Sequence, residues 1–121
     1  VIVSSGAAIN GSNLSGGYAG AKRMQWFLTK YLDGESKRAS LGIRFVAILP
    51  KQLVTDTDLG RTAASEYARR EGITLEKFME RFSVPLTPDA FGRGVVSLIT
   101  NPELGEGTVF TIAGGGMERL E

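Results

Sequence analysis

Three short runs of apolar, often β-branched residues, far apart in the chain, constrain this fold more than any other feature. They are Val1-Ile2-Val3, Ile43 to Leu49, and Thr108 to Ala113. Val1-Ile2-Val3 is apolar at every position, which suits a strand covered on both faces, as in a parallel sheet. The segments between the runs carry helical patterns, so the strands are expected to be joined by helical crossovers. Ser4 to Gly17 is rich in Gly, Ser and Asn and reads as a loop. Ser15 is placed to cap the next helix. Met24, Phe27, Leu28, Tyr31 and Leu32 recur at spacings of three and four, which predicts a helix over 17–38 with those residues on its buried face.

Pro50 is expected to stop the second strand. A helix from Asp56 or Thr57 to Arg70 is closed by Gly72. Thr74 can cap a short piece carrying Leu75, Phe78, Met79 and Phe82. Thr87-Pro88 opens a further helix with Val95, Val96, Leu98 and Ile99 on its apolar face, and Asn101-Pro102 stops it. After the third strand, Gly114-Gly115-Gly116 leads into a short tail. The order β-α-β-α-α-α-β predicts an α/β domain. Its core is expected to be a three-stranded parallel sheet, with right-handed crossovers placing helices on both faces.

With 121 residues the chain is expected to form one domain. Its formal net charge of +1 comes without a dense Lys/Arg stripe, so no nucleic-acid partner is expected. No apolar run approaches the length of a membrane span, and no signal peptide is visible. The chain has neither histidine nor cysteine. That removes the usual transition-metal ligands and the Ser-His-Asp and Cys-His systems, so no metal site is expected. Acid–base chemistry would fall to tyrosine, lysine or carboxylates.

One constellation can carry such chemistry. Tyr18 and Lys22 stand at i and i+4 near the start of the first long helix and share a face. Ser5 follows the first strand, at the edge where open α/β sheets bind ligands. A free phenol with a pKa of about 10 is only about 0.1% ionised at pH 7. An adjacent ammonium favours the phenolate, which can then exchange a proton with an alkoxide or alcohol. The spacing of Tyr18 and Lys22 alone favours a surface tyrosine beside a solvated lysine; the serine after an apolar strand and the tyrosine opening the next helix add weight to the site reading. Tyr67, Phe78, Met79 and Phe82 fit either an apolar lining or ordinary amphipathic packing.

In order along all 121 residues, the chain resembles the C-terminal half of the short-chain dehydrogenase/reductases. Ser4-Ser5-Gly6 resembles that family's catalytic serine segment. Tyr18-Ala19-Gly20-Ala21-Lys22 resembles its Tyr-x-x-x-Lys motif. Gly42-Ile43-Arg44 through Pro50 resembles the next strand with its Pro-Gly-x-x-x-Thr end. The resemblance implies a partial Rossmann-like, doubly wound fold without the dinucleotide-binding N-terminal half. It implies Tyr18 as general acid/base, Lys22 as the group that tunes Tyr18 and binds the nicotinamide ribose, and Ser5 as the residue orienting the substrate carbonyl. Pro50, Leu53 and Thr55 fall at the family's nicotinamide and phosphate contacts, and residues 51–86 at its helical substrate flap. The expected cofactor is NAD or NADP, the substrate a small alcohol or carbonyl compound, and the location, by analogy, the cytoplasm.

Lys51 stands where the family has glycine, Val46 where asparagine is frequent, and Ala113 where aspartate is common. The family's Gly-rich pyrophosphate turn between a strand and a helix has no counterpart here. The chain alone is therefore expected to be inactive, and to form a homo-oligomer or associate with a missing N-terminal half. A catalytically silent oligomerisation or ligand-binding module is the alternative reading.

Overall fold

The computed structural model describes residues 1–121. Strands β1 (Ile2–Val3), β2 (Ala47–Pro50), β3 (Val109–Ala113) and β4 (Gly116–Arg119) form one mixed sheet in the order β1-β2-β3-β4. The first three are parallel, with Ile2 opposite Ala47 and Ile48 opposite Phe110. The fourth runs antiparallel to β3, with Ala113 opposite Gly116. The expected three-stranded parallel sheet is thus four-stranded and mixed. Gly114-Gly115 makes a two-residue hairpin turn, and the segment read as a tail returns along β3. Met117, beside Ile112 in this register, packs against the core.

Five helices accompany the sheet: α1 (Ala7–Asn10), α2 (Gly16–Arg38), α3 (Asp58–Glu71), α4 (Leu75–Met79) and α5 (Pro88–Thr100). None is long and apolar enough to cross a membrane. The short α1 lies in the stretch read as loop. Thr57, Thr74 and Thr87 cap α3, α4 and α5 by accepting the N–H groups of Gly60, Lys77 and Ala90. Ser15 sits at the N-cap position of α2 without capping it. Its hydroxyl accepts from Ser12 N at 2.8 Å and donates to Ser12 O at 2.8 Å.

β2 is covered on both faces. Val46 and Ile48 point to one side with Phe110, Ile112, Leu86 and Leu98, against which Ala90, Phe91 and Val95 of α5 pack. Ala47 and Leu49 point to the other with Val109, Ala8 and Trp26 of α2. Helices therefore lie on both faces of the sheet. α5 approaches so closely that a Cβ on Gly94 would stand 2.5 Å from Ile112 Cδ1. Of the apolar face expected for α5, Val95 and Leu98 pack inward while Val96 and Ile99 are exposed. Pro50 is the last residue of β2, opposite Ile112, rather than a stop before it. Val1 and Val3 are exposed, so β1 is an edge strand and not one buried on both faces.

The main correction concerns α2. Its expected buried face is open: Met24 and Phe27 are each 63% exposed, Tyr31 51% and Leu28 42%. The face that packs inward carries Trp26, Thr29, Asp33 and Ser36. Thr29 Oγ1 donates to Gln25 O at 2.8 Å within the helix, and the chain entering β2 offers partners to Asp33 and Ser36. Ser36 Oγ donates to Ile43 O at 2.6 Å and accepts from Ile43 N at 3.2 Å. Asp33 Oδ1 accepts from Phe45 N at 3.1 Å, and Lys37 Nζ lies 2.7 Å from Asp33 Oδ2. Ile43 to Phe45, expected as strand, is thus held by helix side chains instead of a ladder.

Burial works against the Asp33 charge, but the Lys37 ammonium, the Phe45 N–H and the charge of Arg44 outweigh it and hold its pKa below the ordinary carboxylate value. A folded pKa below the unfolded one contributes stability that is complete above the unfolded value and lost as pH falls through the folded one. Asp33→Asn is expected to lower the unfolding free energy by about 1–3 kcal/mol at pH 7. In urea titrations across pH, the gap to wild type should close as the pH drops below about 4. A gap that stays constant down to low pH would contradict the ionic role.

Candidate active site

The C-terminal ends of the parallel strands gather most of the residues singled out in the sequence. Ser5 lies two residues past β1. Its Oγ accepts from Ala7 N at 3.2 Å, opening α1, and the hydroxyl hydrogen donates to no atom of the chain. The next residue, Gly6, donates its N–H to Pro50 O at 2.7 Å, joining the ends of β1 and β2. A Cβ on Gly6 would lie 2.8 Å from that oxygen, so this approach needs glycine.

Tyr18 and Lys22 occupy the first turns of α2. Lys22 Nζ stands 5.7 Å from the centroid of the Tyr18 ring and donates to Val3 O at 3.0 Å, on the open edge of β1. The backbone holds the pair in place: Ser4 is buried and its Oγ donates to Lys22 O at 2.8 Å. Tyr18 is 52% exposed, and its hydroxyl has no partner within the chain. The ammonium therefore lies within cation–π reach of the phenol ring while it is hydrogen-bonded to the strand edge.

Pro50 ends β2, as described. Leu53 turns its side chain into the small core of α3 and α4, beside Ala64, Ala68 and Phe78, while its N–H and C=O bond to no other atom of the chain. Thr55 O accepts from Arg61 Nη1 at 3.5 Å. Lys51 is exposed and its ammonium lies 3.7 Å from Glu118.

Two features escape a sequence reading. Gln52 bridges strand ends, accepting from Gly114 N at 3.1 Å and donating to Val84 O at 3.2 Å. Tyr67 of α3 shares a hydrogen bond of 2.7 Å with Ser12 Oγ in the loop between Ser5 and Tyr18. Tyr67 also stacks on Phe78 at 5.9 Å between centroids, so the helical pair α3–α4 is internally packed and reaches the β1–α2 loop through this one side-chain bond. Both contacts span large sequence separations, and nothing local marks them.

Two concavities lie elsewhere. One of about 380 Å³ runs along the flank of α2, between Trp26, Phe27, Tyr31 and Glu121. Another of about 300 Å³ sits by Asp33, Arg44 and Gly107, at the opposite end of the sheet from Ser5. Tyr18 is exposed, and Ser5 and Lys22 are half-buried. Comparison with known protein families, curated proteins and solved structures finds no match.

For a nicotinamide dinucleotide the donor set fits at one end only. The peptide groups of Leu53 and the hydroxyl of Tyr18 are free for an amide and a ribose, whereas the ammonium of Lys22 is taken up by Val3 O. The glycines at 114–116 turn into β4 and not into a helix, so they offer no helix N-terminus to a pyrophosphate.

Tyr67→Phe keeps the ring stack on Phe78 and removes the bond to Ser12. It is expected to cost under about 1 kcal/mol of global stability. Amide exchange in α3 and α4 should nevertheless rise while that of β2 and β3 stays constant. Uniform protection in the variant would show that the bond does not hold this helical pair down.

Proposed function

We propose that this chain supplies the proton-transfer half of a short-chain dehydrogenase/reductase type of site, acting on a small alcohol or carbonyl compound. The observation that carries the reading is the pairing of Tyr18 and Lys22, one turn apart at the start of α2, beside the end of β1 from which Ser5 projects. Tyr18 donates its phenolic hydrogen to a carbonyl oxygen as that oxygen gains negative charge, and takes it back in the oxidising direction. Lys22 stabilises the phenolate left behind. Ser5, with an uncommitted hydroxyl hydrogen, fixes the same substrate oxygen by donating to it.

A bound nicotinamide would supply or accept the hydride. Tyr18, Lys22 and the peptide groups of Leu53 would hold its ribose and amide, next to the end of β2 at Pro50 and to Thr55. The pyrophosphate would need groups from outside this stretch. The Rossmann-like, doubly wound arrangement belongs to the same proposal, as do a cytoplasmic location and residues 51–86 as the flap over substrate. The exposure of Tyr18 favours one second reading, a ligand-binding or interaction module with no turnover.

In an active form that supplies the dinucleotide-binding groups, Tyr18→Phe should lower kcat by about 10²- to 10⁴-fold with a much smaller loss of cofactor affinity, since Lys22 and Leu53 keep their cofactor contacts. Lys22→Ala should damage both. Wild-type turnover in Tyr18→Phe would remove the proposed acid/base. NADH and NADPH titrated against this chain alone should bind more weakly than about 1 mM, the upper end of ordinary enzyme affinities. Micromolar binding would show that the chain needs no outside phosphate groups.

A further inference from the structure

We propose that the groove along the flank of α2 binds a planar aromatic carboxylate of one or two rings, which takes the place of the Glu121 side chain. The proposal does not rest on the oxidoreductase reading. With a volume of about 380 Å³ the groove is at the lower end of what small-ligand sites fill, and this limits the size of the occupant. Gly34 lies at the middle of its helical wall, with Lys30 and Arg38 one turn away on either side. Beyond its own helix backbone, a Cβ there would find only the Arg38 guanidinium, at 3.5 Å. No positive φ asks for glycine at this point. Inside a helix, glycine costs about 1 kcal/mol relative to alanine. What its missing side chain leaves is room.

The need for a carboxylate is read from the group seated there. Glu121 Oε2 lies 2.6 Å from Lys30 Nζ and accepts from Trp26 Nε1 at 3.4 Å. The Lys30 hydrogen bond, working against burial, holds the Glu121 carboxyl below its ordinary pKa, and the Trp26 N–H and the charges of Lys30 and Arg23 add to this. Arg38 pairs with Glu35, whereas the Arg23 guanidinium lies over the Trp26 ring at 4.0 Å without a carboxylate of its own. The need for a ring is read from the walls. Phe27 and Tyr31 are both more than half exposed, with ring centroids 6.2 Å apart and planes 22° from parallel. Bare aromatic faces beside a guanidinium and an ammonium match a flat ring that carries one negative charge.

The Glu121 side chain can swing out without unfolding the strand end. Its main chain is fixed separately, since Glu121 N donates to Val109 O at 3.1 Å and Glu121 O accepts from Thr108 N at 3.0 Å. The Lys30 and Glu121 side chains are 50% and 36% exposed, and an ion pair so open to water contributes little. A ligand that brings its own carboxylate to Lys30 and Trp26 Nε1 replaces those bonds and adds ring contacts that Glu121 lacks.

Trp26 is the chain's one tryptophan, so its indole N–H gives a single signal at the site. With naphthoate as the probe, that signal should shift in proton–nitrogen correlation spectra with half-saturation at about 1 mM. Cyclohexanecarboxylate has the charge without the rings, and indole the rings without the charge; each should bind about tenfold more weakly or worse. Glu121→Gln should bind naphthoate about threefold or more tightly, because the competing carboxylate is gone. Lys30→Met should bind it about tenfold more weakly. Gly34→Leu should lose binding while its thermal midpoint holds or rises, since leucine replaces glycine inside a helix. An unmoved Trp26 signal at the solubility limit of naphthoate would overturn the proposal. So would equal binding of cyclohexanecarboxylate or indole, undiminished binding in Lys30→Met or Gly34→Leu, or binding by Glu121→Gln no tighter than wild type.

Discussion

The fold depends on the complete enclosure of β2. Ala47, Ile48 and Leu49 are fully buried, their backbone is paired on both edges, and their side chains alternate between two helical layers. A strand held from four directions leaves little freedom in register, because a slip of one residue would exchange the α2 and α5 faces. The ends of the neighbouring strands inherit that precision. Ser4 and Gly6 donate to Ile48 O and Pro50 O at 2.9 and 2.7 Å, so the loop carrying Ser5 is positioned by the strand that is fixed most firmly.

The path from β2 to β3 has an unusual consequence. β1, β2 and β3 step across the sheet in one direction, yet α2 and α5 lie on opposite faces. Two crossovers with the same step and opposite faces have opposite hands, so one departs from the right-handed rule. The expectation that two right-handed crossovers would cover both faces is therefore geometrically inconsistent with this strand order. The long connection through α3 and α4 gives the chain room to change face. It also lets that helical pair form its own small core around Ala64, Ala68 and Phe78, near the ends of the parallel strands.

Where the sequence was readable, a local chemical signal acted alone. Thr74 and Thr87 marked two helix starts, the Asp56-Thr57 pair a third, Gly72 one end, and three apolar runs located three strands, although Ile43 to Val46 lies outside β2. The reading failed where two partners competed for one pattern. The Met24, Phe27, Leu28 and Tyr31 stripe is amphipathic at the helical period, but periodicity does not say which face meets the sheet. Asp33 and Ser36 won the inner position because Phe45 and Ile43 supply backbone partners, and Thr29 is satisfied by Gln25 O of its own helix, none of which a hydrophobicity pattern can register. β4 escaped because only Met117 of its four residues is apolar, and its pairing with β3 begins at a glycine turn that also suits a chain end. Tyr18 and Lys22 were legible as a pair from their spacing alone. The attachment of Lys22 to Val3 O was not, since it depends on which edge of β1 stays open.

That attachment links the candidate site to the edge of the sheet. Ile2 and Ser4 direct their backbone groups toward β2, so the groups of Val3 face outward. Lys22 Nζ satisfies the Val3 carbonyl that no strand occupies. A strand joining β1 on this side would bring its own N–H to Val3 O, and a backbone donor in a ladder is fixed at less entropic cost than a flexible ammonium. Lys22 would then be displaced from the edge. Its main chain would stay anchored by Ser4, leaving the ammonium to turn toward Tyr18 and any ligand beside it. The open edge and the Tyr18–Lys22 pair are thus joined through one ammonium, which lies beside the ring while it occupies the Val3 carbonyl.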